Sequence, residues 1–226
     1  MYTSQHTCLD GIKQYISELT PEVRSFYETT YGYITKDEIE RVQKIPQRDP
    51  AWVLQRQKKL TASVFGEFIG DNPYNSPEES IKTLIHGEDP EEISLKKPEE
   101  ILAHKQAMDR GTYLEGYIRD WYILVKQESY PKGYTIRVLE PGLILNEDIP
   151  FCAASPDGIV EVYDENNVLV ERFLLEIKAP NRDFLYKHIP VYYFDQIQGL
   201  MGLLQLPKCD FVVWTHLSEK QREMYA

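Results

Sequence analysis

Two runs rich in β-formers, Gly158 to Tyr163 (GIVEVY) and Val168 to Lys178 (VLVERFLLEIK), flank the polar tetrad Asp164-Glu165-Asn166-Asn167. That pattern predicts a β-hairpin, and its register constrains what can gather at its open end. With Asn166-Asn167 as a two-residue loop, Glu165 faces Val168. Counting back along both strands then sets Asp157, from Ser155-Pro156-Asp157-Gly158, opposite Glu176 of Glu176-Ile177-Lys178. Directly opposed side chains have Cβ atoms roughly 4.5 to 5.5 Å apart, close enough for two carboxylates to share a cation. Residues two apart on a strand share a face, so Lys178 projects beside Glu176 while Leu175 and Ile177 face the core. Moving the two-residue loop back one position keeps the face, whereas a three-residue loop shifts the register by one and separates the carboxylates.

Facing carboxylates repel unless a cation neutralises them, and an all-oxygen donor set suits Mg²⁺ or Mn²⁺. Lys178 adds a positive charge on the same face. Such a set can bind a phosphate oxygen through the metal, acidify a bound water and stabilise the charge of a pentacovalent transition state. Most E-x-K triplets are solvated strand residues. What distinguishes this one is the P-D-G at the matching start of the partner strand.

The 226 residues suffice for a substantial core, and the pattern predicts an N-terminal helical arm over 1–46 joined to one globular domain over 47–226. No apolar run reaches about 18 residues and no charged-then-apolar leader opens the chain, so a soluble, intracellular protein without membrane contact is expected. Cys8, Cys152 and Cys209 are odd in number and lack a C-x-x-C pair, which predicts reduced thiols rather than disulfides or zinc ligands. The histidines show no paired spacing for a metal. A net charge of −11 counts against nucleic-acid binding. The acid, however, is concentrated in 71–100, while 41–59 is basic, so a local binding face remains open.

Helical spacing over Leu9 to Thr30 is followed by a break at Pro46 and Pro50. A helix from Ala51 then puts Trp52 and Arg56 on one face. Thr61 is a candidate cap for a helix carrying Val64, Phe65, Phe68 and Ile69, ended by Gly70. A short helix is expected at Pro77 to His86, and one long helix, or two meeting near Gly111, over Glu99 to Gln127. Its apolar stripe is Leu114, Ile118, Trp121 and Val125, with Glu115 beside it and four residues from Arg119. Strands are expected at Thr135 to Leu139, Leu143 to Asn146, around Cys152 and at Asp210 to Thr215, with a helix over Phe194 to Leu206. The fold class is α/β (α+β), a central mixed sheet flanked by helices.

Six short motifs agree with one family: W-x-x-x-R at Trp52 to Arg56, T-A-S at Thr61 to Ser63, G-x-x-x-E at Gly111 to Glu115, S-P-D-G at Ser155 to Gly158, E-I-K-A-P at Glu176 to Pro180, and D-Q-I-Q at Asp195 to Gln198. In this order they resemble the phage lambda exonuclease type, also described as YqaJ-like viral recombinases, of the PD-(D/E)XK nuclease superfamily. The resemblance spans Asp49 to Thr215 and implies the restriction-endonuclease-like core. It implies a two-metal, Mg²⁺-dependent (or Mn²⁺-dependent) phosphodiesterase that digests one strand of linear duplex DNA from its 5′ end for single-strand annealing recombination. Carried over residue by residue, Asp157 and Glu176 become metal ligands, with the carbonyl of Ile177 completing the shell. Glu115 reaches the second metal, Lys178 positions or activates the attacking water, and Gln196 orients that water or a ligand. Arg56 and Ser63 grip a 5′-terminal phosphate, Trp52 packs near the DNA end, and Arg182 resembles a further phosphate-contacting arginine. A partner annealing protein is implied, and both ring-shaped trimers and monomers occur. Two alternatives stay open: an endonuclease or RNA-cleaving nuclease of the same fold, and a non-catalytic nucleic-acid-binding or recombinase-binding module.

Overall fold

The computed structural model describes residues 47, 52, 56, 59–87, 97–146, 148–180 and 186–215. The arm over 1–46, the interdomain boundary drawn from it and Arg182 lie outside the described residues.

The expected hairpin is present, formed by β5 (Gly158–Tyr163) and β6 (Leu169–Lys178). They pair antiparallel from Gly158 with Leu175 to Val162 with Glu171, and one further step brings Asp157 opposite Glu176. The turn differs from expectation. Asp164 N–H donates to the carbonyl of Val168 at 2.9 Å, so the loop holds three residues, Glu165 to Asn167, with Asn167 left-handed at φ 59°. The Asp164 carboxylate favours this turn by accepting the N–H groups of Asn166 and Val168. A three-residue loop alone would displace the carboxylates by one position. The shift is cancelled two residues later, where Tyr163 pairs with Leu169 but Val162 pairs with Glu171, leaving Val170 as an extra residue in a β-bulge. Turn and bulge together restore the register of a two-residue hairpin.

Around this hairpin, β2 (Thr135–Leu139) pairs antiparallel with β5 and β7 (Cys209–Val213) pairs parallel with β6, giving a mixed four-stranded sheet in the order β2-β5-β6-β7. A smaller sheet joins β1 (Leu60–Thr61), β4 (Cys152–Ala154) and β3 (Ile144–Leu145). The remaining elements are a 3₁₀ turn at Ala62–Val64, α1 (Phe65–Ile69), α2 (Pro77–His86), α3 (Pro98–Glu128) and α4 (Val191–Leu204).

Alternation along the hairpin divides the core. Val160, Val162, Phe173, Leu175 and Ile177 cluster with Ile118 and Tyr122 of α3, whereas Ile159, Tyr163 and Leu174 cluster with Leu200, Leu203 and Leu204 of α4. Both faces of β5 are therefore covered, and every residue of it is buried, Glu161 included. Glu161 is tolerated there because Arg172 pairs with it and the Tyr163 hydroxyl donates to it at 2.7 Å.

Several helix expectations are adjusted by packing. The long helix is continuous through Gly111. Its core-facing stripe is the partly buried Leu114 and the buried Ile118 and Tyr122, advancing by four. Trp121 and Val125 are 42% and 45% exposed, and Trp121 packs edge-on against Trp214 on the outside. The last helix begins at Val191, directly after Pro190, rather than at Phe194, because proline supplies an entry conformation without needing a donor. Thr61 stands at a helix entry without capping it. Gly70 ends α1 in a left-handed conformation, φ 89°, and the capping box of Ser76 and Glu79 opens α2 at Pro77. Among the described residues no helix is long and apolar enough to cross a membrane.

Candidate active site

The open end of the hairpin brings Asp157, Glu176 and Lys178 together. Asp157, just before β5, accepts the Ile177 N–H through Oδ2 at 2.7 Å, a bond that locks its carboxylate across the strand gap. Glu176 is buried. Its Oε1 accepts from Lys178 Nζ and from Gln196 Nε2 of α4, each at 2.6 Å. The Lys178 ammonium also lies 5.1 Å from the centre of the Tyr193 ring.

α3 approaches from the opposite face and delivers Glu115. Its Oε1 accepts from Arg119 Nη2 at 3.0 Å, the i,i+4 pair anticipated from spacing, although both side chains are largely buried rather than on the surface. Arg119 does more than pair on its own helix. Its Nε donates to the main-chain carbonyl of Asp157 at 3.3 Å and its Nη1 meets Glu140 at 2.7 Å.

Crowding of carboxylates is visible in their protonation. Burial, followed by the charge of Glu176, pushes Asp157 well above the ordinary carboxylate range. Burial also raises Glu176, against the pull of Lys178. Burial disfavours the Lys178 ammonium, but Glu176 and Asp157 outweigh it and hold the amine above the ordinary lysine value. The second oxygen of Glu176, Oε2, is buried with no hydrogen-bond partner among the described residues. A buried orphan carboxylate oxygen beside a second carboxylate fits a hard divalent cation.

A second cluster lies beside the first. Arg56 Nη2 donates to Thr61 Oγ1 at 3.1 Å and to Ser63 Oγ at 3.2 Å, and the two hydroxyls are 3.0 Å apart. The guanidinium sits 4.5 Å over the Trp52 ring, and the Trp52 indole N–H donates to Ser155 Oγ at 3.4 Å. Trp52 therefore links Arg56 to the S-P-D-G loop. Gln47 braces the same loop by donating to the carbonyls of Pro141 and Pro156. A cleft of about 430 Å³ is lined by Ser63 together with Lys178 and Gln196.

Most of the anticipated residues that lie in the described part converge: Asp157, Glu176, Ile177, Lys178 and Gln196 at one cluster, Arg56, Ser63 and Trp52 at the other. Glu115 is near enough for its charge to disfavour ionisation of Asp157 and Glu176, but among the described residues no three such side chains are gathered closely enough to hold a metal ion. Sequence reasoning passed over the reach of Arg119 to Asp157, the Thr61 hydroxyl between Arg56 and Ser63, and Tyr193 against Lys178. Thr61 stood inside the T-A-S motif, and Arg119 was noted only for its spacing from Glu115. Tyr193 stands two residues before D-Q-I-Q but outside the expected helix.

A mixed sheet whose central hairpin presents P-D and E-x-K at one end, between two helices, is the arrangement of a PD-(D/E)XK nuclease. Among solved structures the chain resembles the alkaline exonuclease LHK-Exo of Laribacter hongkongensis, with a TM-score of 0.51 and 26% identity over 76% of this chain and 77% of that one. It also resembles LHK-Exo in complex with dAMP, with a TM-score of 0.50 and 25% identity over 75% and 74%. Residues 51–203 match the YqaJ-like viral recombinase domain, and the chain belongs to that family. A curated relative, uncharacterized protein R354 of Acanthamoeba polyphaga mimivirus, is 27% identical over 186 residues, covering 78% of this chain. The chain spans about 30% of the length of that relative. Fold, family and neighbours together place the chain among proteins of the lambda exonuclease type with the PD-(D/E)XK fold.

Proposed function

We propose that the protein is a Mg²⁺-dependent 5′-to-3′ exonuclease that degrades one strand of linear duplex DNA and leaves the other for single-strand annealing, with an annealing protein as partner. The observation that carries this is the convergence of Asp157, Glu176 and Lys178, with the orphan Glu176 Oε2 among them. Asp157, Glu176 and the Ile177 carbonyl would hold one divalent ion, and Glu115 would reach a second. Such ions supply positive charge for the phosphoryl oxygens and acidify water.

The chain's own residues do the rest. Lys178, kept as an ammonium by Glu176, orients the attacking water and offsets charge gathering on the phosphate; it does not serve as the free amine base. Gln196 fixes the Glu176 carboxylate by its hydrogen bond, so that the ligand geometry is set before substrate arrives. Arg56, with the hydroxyls of Thr61 and Ser63, offers charge-assisted donors to a 5′-terminal phosphate. A phosphate held there selects which phosphodiester lies over the carboxylates, which gives the enzyme its direction. LHK-Exo, which the chain resembles, has been solved in complex with dAMP, and this supports a nucleotide ligand for the protein.

Digestion of end-labelled linear duplex in Mg²⁺, with closed circular DNA and RNA as parallel substrates, tests the proposal. Mononucleotides released from 5′-phosphorylated ends are expected. Cleavage of the circle, preference for RNA, or no hydrolysis by the purified chain would each overturn it.

A further inference from the structure

The cleft between the Arg56 corner and the carboxylates is walled by aromatic rings that hydrolysis does not use. Tyr74 packs edge to face on Tyr192, with ring centroids 6.1 Å apart at 77°. Tyr192 tilts against Tyr193, at 4.4 Å. All three line the cleft. Tyr74 is 70% exposed, yet its position is set by a chain of local contacts. Gly70 turns the backbone at φ 89°, the Gly66 carbonyl accepts the N–H groups of Asp71 and Asn72, and Asn72 Oδ1 accepts the Tyr74 N–H at 2.8 Å. Gly66 also makes room for Tyr192, since a Cβ there would lie 3.0 Å from both its Cα and Cβ. Two separate segments, the loop after α1 and the first turn of α4, thus bring two rings into a corner open to solvent.

Accessible aromatic faces beside backbone-phosphate contacts are how proteins hold unpaired bases, because every base has a π-face to stack. We infer that Tyr74 and Tyr192 form a nucleobase subsite for the 5′-terminal nucleotide, whose phosphate lies at Arg56 and Ser63 and whose 3′ oxygen lies toward Lys178. The inference rests on the DNA-end reading above and names what that reading leaves open, the group that recognises the terminal nucleoside. The cleft volume of about 430 Å³ falls within the roughly 300–1,000 Å³ of small-ligand sites. Stacking without edge contacts recognises that a base is present rather than which base it is. The terminal nucleotide must leave its pairing partner to enter, so the subsite also favours frayed or mismatched ends.

Calorimetric titration of the full chain with thymidine 5′-monophosphate and, separately, with deoxyribose 5-phosphate, both in Ca²⁺, tests the subsite. Wild type is expected to bind the nucleotide roughly 10- to 100-fold more tightly, the range of one base–aromatic stack. Tyr74→Ala and Tyr192→Ala should abolish that ratio, while Tyr74→Phe and Tyr192→Phe keep it. Equal affinity of wild type for the two ligands would overturn the subsite, as would alanine variants that retain the preference. The ratio is read without turnover. A chain that prefers the nucleotide but digests no DNA end retains the subsite and loses the exonuclease reading; one that digests ends yet binds both ligands equally loses the subsite alone.

Discussion

Arg119 donates its Nε–H to the main-chain carbonyl of Asp157 at 3.3 Å while its Nη2 holds Glu115 at 3.0 Å. One buried guanidinium on α3 thereby sets the distance between the helix that carries one carboxylate and the loop that carries another. Arg119 touches no reacting group in the proposed mechanism and acts by positioning. A lysine keeps the charge but has no planar fork with which to reach three acceptors. Arg119→Lys is expected to fold and to need at least about tenfold more Mg²⁺ for half-maximal hydrolysis, in line with the effect of outer-shell substitutions on metal sites. Rates at saturating Mg²⁺ should recover much of the loss. A Mg²⁺ titration of activity reads both effects, and an unchanged Mg²⁺ requirement would remove the positioning role.

Asp157 occupies a place where burial and Glu176 both oppose its ionisation. Asp157→Asn retains an oxygen for the Ile177 N–H and removes the charge. In EDTA the variant should therefore be more stable than wild type and melt at a higher temperature, because the unfavourable buried charge is gone. In Mg²⁺ the order should reverse, because only wild type gains from the ion, and hydrolysis should be lost. Thermal denaturation with and without Mg²⁺ supplies the comparison, and a variant less stable than wild type in EDTA would contradict the electrostatic account.

How much of this was legible beforehand depends on the range of the contact concerned. The facing of Asp157 and Glu176 followed from strand alternation and pairing, yet the turn assumed for it was incorrect. Asp164 can satisfy two backbone N–H groups itself, which favours the three-residue loop, and Val170 carries no mark of a bulge amid other β-formers. The two departures cancel, so the expected register survived for a reason the pattern does not contain. The 3.6 period located α3 but placed Trp121 on the wrong side of its stripe, because a helix against a twisted sheet buried Tyr122 instead. The Arg119 bond to Asp157, across 38 residues, and the meeting of Tyr193 with Lys178 are tertiary and leave no local signature. The Arg56 and Ser63 pairing came from family resemblance rather than from spacing.

In the proposed mechanism, polarity of digestion rests on Arg56. Its guanidinium is stacked on Trp52 and bonded to Thr61 and Ser63, so it is held in place before a phosphate arrives. Arg56→Ala should reduce the preference for 5′-phosphorylated over 5′-hydroxyl duplex ends by roughly tenfold or more, the worth of a charged hydrogen bond of about 1.5–3 kcal/mol. Slow hydrolysis of hydroxyl ends should be little changed. Initial rates on the two substrates, for wild type and variant, give the ratio of ratios. If it stays at one, the phosphate is bound elsewhere.

Two glycines of α4 make opposite predictions from the same helix. A Cβ at Gly199 would fall 2.4 Å from Cδ2 and 2.7 Å from Cε2 of Phe65, whereas one at Gly202 would meet nothing within 4 Å. Phe65 opens α1, two residues after Ser63, and packs against the core under the cleft. Gly199→Ala must push that ring, and with it α1, away from α4. Overpacking of this kind typically costs about 1–3 kcal/mol. Because Ser63 and Gly66 move with Phe65, the variant should also bind 5′-phosphorylated ends more weakly, with KM rising more than kcat falls. Gly202→Ala should instead stabilise by up to about 1 kcal/mol, the helical preference of alanine over glycine, and leave kinetics unchanged. Urea unfolding and steady-state rates of the two variants side by side separate a steric from a general helix effect. Equal shifts in both would mean that the contact of α1 with α4 does not set the 5′-phosphate corner.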